Sequence, residues 1–159
     1  MDKEFVISKI KNMYIMLLYA ITKEDINRVR HYLSDELYNK YDELIKTNIA
    51  NNVVQKYGEL NVGKVRVVSS DNDFIIANIE AKYIDYLIDR TTREYLLGET
   101  KRNKHNVELK IRYNSNNEKL VHRCSNCGAP LNDNLSGVCS YCNVAVTTDE
   151  SIYVIEEIK

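Results

Sequence analysis

Residues 60–88, LNVGKVRVVSSDNDFIIANIEAKYIDYLI, decide the fold class of this chain. Valines dominate the first part, residues 69–73 are serine, aspartate and asparagine, and residues 74–83 resume with apolar side chains near every second position. Valine and isoleucine fit the pleated surface of a sheet, and a polar cluster between two such runs is typical of a hairpin turn. The stretch therefore predicts two antiparallel strands, the second of which ends at the polar turn of residues 89–92.

Further strands follow this hairpin. Residues 107–113, VELKIRY, alternate apolar and charged side chains, which buries one face of a strand and leaves the other in water. Residues 95–97 predict a short strand, and residues 152–158 have β character as well. We expect the tail, residues 147–159, to return to the main sheet as a last strand.

The first third of the chain has helical periodicity instead. Apolar residues recur at helical spacing at Val6, Ile10, Met13, Leu17 and Ile21. They predict an amphipathic helix over residues 3–21. Thr22 with Asp25 has the form of a capping box and predicts a second, short helix, while Ser34 can cap a third that we expect to run to Gly58. Helices followed by strands predict an α+β fold with N-terminal helices packed on an antiparallel sheet.

All four cysteines lie in a later segment that is rich in glycine, asparagine and serine. They form two Cys-x-x-Cys pairs with eleven residues between the pairs: Cys124, Cys127, Cys139 and Cys142. Zinc prefers four soft ligands in a tetrahedron, and two such turns supply them. Gly128 directly follows the first pair, where the turn often needs a positive φ. We therefore expect one structural zinc ion per chain, held in a small zinc ribbon at residues 122–146.

Other uses of four cysteines are less consistent with this context. Disulfides suit secreted chains, but the start of this chain lacks the pattern of a secretory signal. A redox Cys-x-x-Cys pair usually opens a helix after a strand, which neither pair does. Four thiolates can also hold an iron–sulfur cluster, although paired Cys-x-x-Cys at this spacing fits a zinc ribbon better. Four cysteine ligands leave no open position for water, so the zinc would stabilise the fold.

Charge and motifs argue against several classes of function. The chain has 22 basic and 23 acidic residues and a formal net charge of −1, so nothing draws it as a whole toward nucleic acid. Nucleic-acid binding through the ribbon stays open as an alternative because Lys119, His122 and Arg123 lie near it. The most apolar stretch, residues 13–21, is shorter than the roughly 20 residues that cross a membrane. We expect a cytoplasmic protein.

The chain has twelve tyrosines and no tryptophan. Tyrosine combines an apolar ring with a polar tip, and such residues can line a pocket between helices and a sheet. The residues that we expect to line it are Tyr14, Leu18, Tyr41, Tyr83, Asp85 and Tyr113. The carboxylates of Glu80, Asp85 and Asp89 leave open a small-molecule enzyme of the isomerase or dehydratase type. The sequence has no nucleophile, phosphate-loop or dinucleotide motif, and we expect no enzyme.

Three runs of sequence resemble one known family. The helix and the TKED step of residues 22–25, followed by VRHYLSDELY at residues 29–38, resemble bacterial Tim44-like domain proteins, and so does YIDY at residues 83–86. The ending CSNCGAPL and GVCSYC, within residues 124–142, is similar to the zinc ribbon that some of these proteins carry.

This resemblance implies a cone-shaped α+β fold of the nuclear-transport-factor-two type over residues 1–121. The family is named for the matrix-side subunit that tethers the protein-import motor to the mitochondrial inner membrane, and its fold encloses an apolar pocket. The implied function is a non-catalytic binding or scaffold module for lipid or a partner protein segment, capped by the zinc ribbon. Peripheral association with the cytoplasmic face of a membrane is implied as well.

Overall fold

The computed structural model describes residues 3–114, 122–123, 127–131, 141–142 and 152–159. The helical elements are α1 (Lys3–Thr22), a 3₁₀ helix (Ile26–Tyr32) and α2 (Asp35–Ala50). The strands of the main sheet are β1 (Val53–Ser70), β2 (Phe74–Asp89), β3 (Tyr95–Gly98), β4 (Asn103–Asn114) and β7 (Ile152–Ile158). Two short strands lie between β4 and β7: β5 (His122–Arg123) and β6 (Pro130–Leu131). The fold is α+β with N-terminal helices and a curved antiparallel sheet, as predicted.

The main sheet has the strand order β1-β2-β4-β7, and β3 pairs with β2 beyond the start of β4. The hairpin of β1 and β2 is confirmed and is longer than predicted, because pairing begins already at Val53 opposite Asp89. Its register shifts three times, first between Gly58 and Asn61. Such irregularities bend a strand and increase its twist, which explains how strands of this length form a curved sheet.

The last strand lies beside a strand that precedes the cysteine segment. Strand β7 pairs with β4 from Asn114 opposite Ile152 to Leu109 opposite Ile158. The backbone N–H of Ser34 donates to the carbonyl of Ile155 over 3.0 Å, so β7 also contacts the chain just after the 3₁₀ helix. Residues 115–151 therefore connect two neighbouring strands of the sheet.

The core forms between α1 and one face of the sheet. Ile10, Met13 and Leu17 on α1 are completely buried. They share one apolar cluster with alternate residues of β2 and β4, among them Ile79 and Leu109. The helical spacing in α1 and the period of two in the strands predicted these positions, because each places its apolar side chains on one side of the element.

Helix α1 is also long and apolar enough to cross a membrane, by length and composition alone. It has 20 residues, and the mean hydropathy of its most apolar 18-residue stretch is 1.3. Residues 13–21 on their own are too short to cross a membrane, whereas the helix that contains them has 20 residues. Helices in a protein core can have the same length and composition, and eight residues of α1 are buried within this fold.

One predicted helix start is confirmed and another is wrong. The Ser34 hydroxyl accepts a hydrogen bond from the backbone N–H of Leu37 over 3.2 Å and caps α2. Thr22, in contrast, starts no helix: it is the last residue of α1, and its hydroxyl donates to the carbonyl of Gln55 over 2.7 Å. The Asp25 carboxylate pairs with Arg28, and the next helical element is the 3₁₀ helix.

The predicted end of the third helix at Gly58 is also wrong. Helix α2 ends at Ala50, and Asn52 has a left-handed φ of 60°. Asparagine tolerates this conformation better than most residues, so it can end a helix in place of glycine. Val53 and Val54 then begin β1, which places Tyr57 in a strand.

Candidate functional site

Four tyrosines from different elements approach one another between α1 and the sheet. They are Tyr14 on α1, Tyr41 on α2, Tyr57 on β1 and Tyr83 on β2, here called the tyrosine cluster. The hydroxyl oxygens of Tyr14 and Tyr83 lie 3.3 Å apart. The ring of Tyr57 stands edge-on to that of Tyr83, with centroids 5.4 Å apart. These contacts join α1 to both strands.

His105 on β4 connects the tyrosine cluster to an acidic side chain. Its ring stacks on Tyr83, with centroids 3.9 Å apart and an interplanar angle of 8°. Its Nε2 lies 2.9 Å from Oε1 of Glu99, and the same oxygen accepts the backbone N–H of Asp85 over 2.8 Å. A line of contacts thus runs from the buried Tyr14 hydroxyl through Tyr83 and His105 to Glu99, which is partly exposed.

The electrostatics of the site separate neutral phenols from an ionised carboxylate. Burial raises the pKa of Tyr14 and of Tyr57 far above the ordinary value, with the hydroxyl of Tyr83 and the charge of Asp85 as the respective second causes. Burial also raises the pKa of Tyr83. The backbone N–H of Asp85, with further hydrogen bonds, lowers the pKa of Glu99. The phenols of Tyr14, Tyr57 and Tyr83 are therefore neutral at neutral pH, whereas the Glu99 carboxylate is ionised.

The three carboxylates of the enzyme alternative each serve a different structural partner. Glu80 pairs with Lys104 over 2.7 Å, and Asp85 accepts the Gln55 amide over 2.6 Å. The Asp89 carboxylate accepts the backbone N–H groups of the turn that follows β2. General acid–base catalysis needs two groups that face one substrate with pKa values near the working pH. Within the described part of the chain these three carboxylates do not form such a pair.

The structure brings together most of the residues predicted to line a pocket. Tyr14, Tyr41 and Tyr83 belong to the tyrosine cluster, Asp85 lies beside it, and Leu18 is buried one turn further along α1. Tyr113 lies elsewhere. Its hydroxyl donates to the carbonyl of Asp71 over 2.9 Å, at the turn between β1 and β2. Because Phe74 at that turn is nine residues from Tyr83 on β2, Tyr113 lies far from the other five. The pocket itself stays a prediction.

Sequence reasoning missed four residues of this site: Gln55, Tyr57, Glu99 and His105. Gln55 and Tyr57 were assigned to a helix, because the helical region was expected to reach Gly58. His105 lies just before the strand predicted at residues 107–113, and it has the same parity as Val107 and Leu109 in that alternation. Extending that alternation by one pair of residues would have placed His105 on the face that packs against the core. No signal in the sequence singles out Glu99.

A shallow groove lies next to this site. Its lining residues are Ile84, Tyr86, Tyr95, Glu99 and Thr100. The rings of Tyr86 and Tyr95 stack along it with centroids 6.0 Å apart. Leu96 and Leu97 on the adjoining strand β3 are 46% and 60% exposed. Glu99 therefore borders the groove and is connected through His105 to the tyrosine cluster.

The predicted zinc ligands are only partly within the described residues. Cys127 and Cys142 are half-buried and lie in turns, whereas Cys124 and Cys139 lie outside the described residues. Among the residues that the structure describes, no three histidine, cysteine or acidic side chains are grouped as a metal site would require. The zinc site stays a prediction.

The backbone around the first cysteine pair fits a thiolate metal site. Strands β5 and β6, which flank this pair in the sequence, are antiparallel, with His122 opposite Leu131 and Arg123 opposite Pro130. Gly128 has a φ of +75°, which confirms the conformation predicted for it. A short hairpin with a glycine after Cys-x-x-Cys is compatible with the thiolate site that the sequence predicts.

Comparison with known proteins identifies the family. A search of curated proteins found no match. A family model for the Tim44-like domain matches residues 1–109. The matched segment runs from α1 into β4 and contains the whole tyrosine cluster with His105 and Glu99, and it ends before the cysteines. Because the match spans more than half of the sequence, the chain belongs to the Tim44-like domain family.

Proposed function

We propose that this chain is a non-catalytic binding module that holds an apolar ligand, a lipid or an apolar segment of a partner protein, between α1 and the sheet. Family membership supports a non-catalytic binding role, since Tim44-like domains are generally non-enzymatic and bind proteins or membranes. The tyrosine cluster supports an apolar ligand between α1 and the sheet. Its rings offer an apolar wall, and its neutral hydroxyls can hydrogen-bond a polar head group.

The main support for this proposal comes from the side chains that face each other between α1 and β2. Tyr14 and Tyr83 direct their hydroxyls at each other from opposite walls, and burial keeps both phenols neutral. A ligand that inserts here can exchange the single contact of 3.3 Å for hydrogen bonds to both hydroxyls. A ligand with a net charge would find no counter-charge among these neutral phenols, so the site favours apolar chains whose head group carries no net charge.

We further propose that Cys124, Cys127, Cys139 and Cys142 hold one structural zinc ion in a ribbon. Thiolates at this spacing support it, as do the β5–β6 hairpin and the positive φ of Gly128. The ribbon would serve as a rigid cap or a partner surface at the end of the domain. Its metal has no catalytic role, because four protein ligands leave no position for a substrate.

The test is a thermal melt of the full chain with three probes: a long-chain lysophospholipid, a neutral detergent and an apolar helical peptide. A probe at a hundred times its Kd stabilises a protein by about 2.7 kcal/mol, which corresponds to a rise in Tm of roughly 5–10 °C for a chain of this size. Tyr14→Phe should reduce the rise, and Tyr113→Phe, which lies outside the cluster, should not. No rise with any of the three probes would count against the proposal.

A further inference from the structure

We propose that the zinc ribbon is seated on the 3₁₀ helix through Arg30, so that zinc binding and the stability of the whole α+β domain are coupled. This inference rests on the proposed zinc site. It goes beyond that site because it makes the ribbon part of the domain's folding unit and assigns a role to a residue far from the cysteines in sequence.

Gly128 supplies the first observation. It is buried, and a Cβ atom on it would lie 3.0 Å from Cβ of Arg30 and 3.3 Å from the carbonyl oxygen of Asn27. Its φ of +75° is also one that side chains rarely adopt. Glycine is therefore required here by conformation and by space, and the backbone immediately after Cys127 lies directly against the 3₁₀ helix.

Arg30 supplies the second observation. Its guanidinium carbon lies 4.4 Å from the ring centroid of Tyr38, and the Tyr38 hydroxyl donates to Oδ1 of Asn27 over 2.8 Å. Its Nε is buried without a hydrogen-bond partner among the residues that the structure describes. A buried N–H of a cation is costly unless an acceptor satisfies it. A zinc-bound thiolate of the neighbouring cysteine segment would satisfy this N–H and so tie Arg30 to the proposed metal site.

Chain connectivity supplies the third observation. The ribbon segment leaves the sheet after Asn114 and returns at Ile152, and these two residues are paired. Strand β7 is held in turn by Ser34, just after the 3₁₀ helix, and Ile155 within it is completely buried. A metal that cross-links the cysteines between Asn114 and Ile152 lowers the chain entropy that is lost when these two residues are brought together on folding. Zinc in the ribbon therefore favours the docking of β7.

These contacts predict a reciprocal coupling. Loss of zinc releases the turn that Gly128 presents to Arg30 and lengthens the loop that precedes β7, which destabilises the domain. The coupling is reciprocal: if zinc binding strengthens the contact between Gly128 and Arg30 by some factor, loss of that contact must weaken zinc binding by the same factor. Arg30 is thus a positioning residue for the metal site rather than a ligand.

The experiment compares zinc-loaded and chelator-stripped full chain under reducing conditions. Far-UV circular dichroism reports the Tm of the helices, and competition with a chromophoric chelator reports the Kd for zinc. Stripping should lower the Tm by roughly 4 °C or more. Arg30→Ala should weaken zinc binding roughly fivefold or more and shrink the difference in Tm between the two states. Arg28→Ala, an exposed neighbour that pairs with Asp25, is the matched control and should change neither.

A pair of glycine variants tests the contact from the ribbon side. Gly128→Ala should weaken zinc binding and lower the loaded Tm, whereas Gly63→Ala should do neither, because a Cβ there meets only the Glu80 carbonyl at 3.4 Å. Wild-type chain that binds one zinc, with a Tm unaffected by stripping and an Arg30→Ala affinity equal to wild type, would overturn the coupling and leave the zinc site standing. Wild-type chain that binds no zinc while its four thiols are reduced would overturn the zinc site itself.

Discussion

Replacing Tyr83 by phenylalanine should destabilise the fold, because it leaves the Tyr14 hydroxyl buried without its partner. Tyr14 is only 3% exposed, so water cannot replace the lost contact easily. The oxygen–oxygen distance of 3.3 Å is long for a hydrogen bond between hydroxyls, and the low end of the cost of an unsatisfied buried group applies, about 1 kcal/mol. Tyr14→Phe should cost about as much, by the same reasoning for Tyr83.

The double variant separates this interaction from the packing of the rings. With both hydroxyls absent no polar group is left unsatisfied, so the variant with Tyr14→Phe and Tyr83→Phe should be more stable than either single one and close to wild type. The coupling energy is then about 2 kcal/mol in magnitude, measurable by urea unfolding followed by circular dichroism at constant zinc. Tyr113→Phe, at the turn between β1 and β2, should change stability by less than about 0.5 kcal/mol. A double variant that loses the full sum of the two single effects would refute the reasoning.

Three further perturbations follow from described contacts. Folding lowers the pKa of Glu99, so its contribution to stability is complete above its unfolded pKa of about 4.3 and is lost as the pH falls toward the folded value. The urea midpoint of Glu99→Gln should therefore change less with pH in that acid range than the urea midpoint of wild type. Gly98→Ala should cost more than about 2 kcal/mol in urea unfolding, because φ is +122° and the new Cβ would lie 2.5 Å from the Asp85 carbonyl; the same change at Gly63 should cost less than about 1 kcal/mol. Ile155→Ala should cost about 3–4 kcal/mol, since Ile155 is completely buried in β7, and an unchanged midpoint would mean that β7 does not belong to the folded sheet.

The sequence was sufficient for elements whose periodicity is repeated over many residues. Helix α1 and strands β2 and β4 each bury one face, and their apolar residues recur at 3.6 or at two. The boundaries at Thr22 and Gly58 were wrong because single residues decided them. Thr22 resembles a helix cap, yet its hydroxyl bonds to β1, and Asn52 ends a helix that glycine was expected to end.

The candidate site was predicted in part for a related reason. Tyrosines inside α1 and β2 were found from their place on apolar faces, whereas His105 and Glu99 depend on which strands become neighbours. The stacking of His105 on Tyr83 follows from the pairing of β2 with β4, which brings Ala81 opposite His105. A tertiary pairing of this kind leaves no local pattern. The contact of Gly128 with Arg30 leaves no local pattern either, since it joins positions about a hundred residues apart.

Hydrogen–deuterium exchange of the zinc-loaded full chain, with and without the lysophospholipid or the apolar peptide, tests the central claim most directly. Binding between α1 and the sheet should slow exchange in α1 around Tyr14 and in β2 around Tyr83, with little change at the β1–β2 turn near Tyr113. Saturating amounts of both probes that leave exchange in α1 and β2 unchanged would contradict the claim that this chain holds an apolar ligand at the tyrosine cluster.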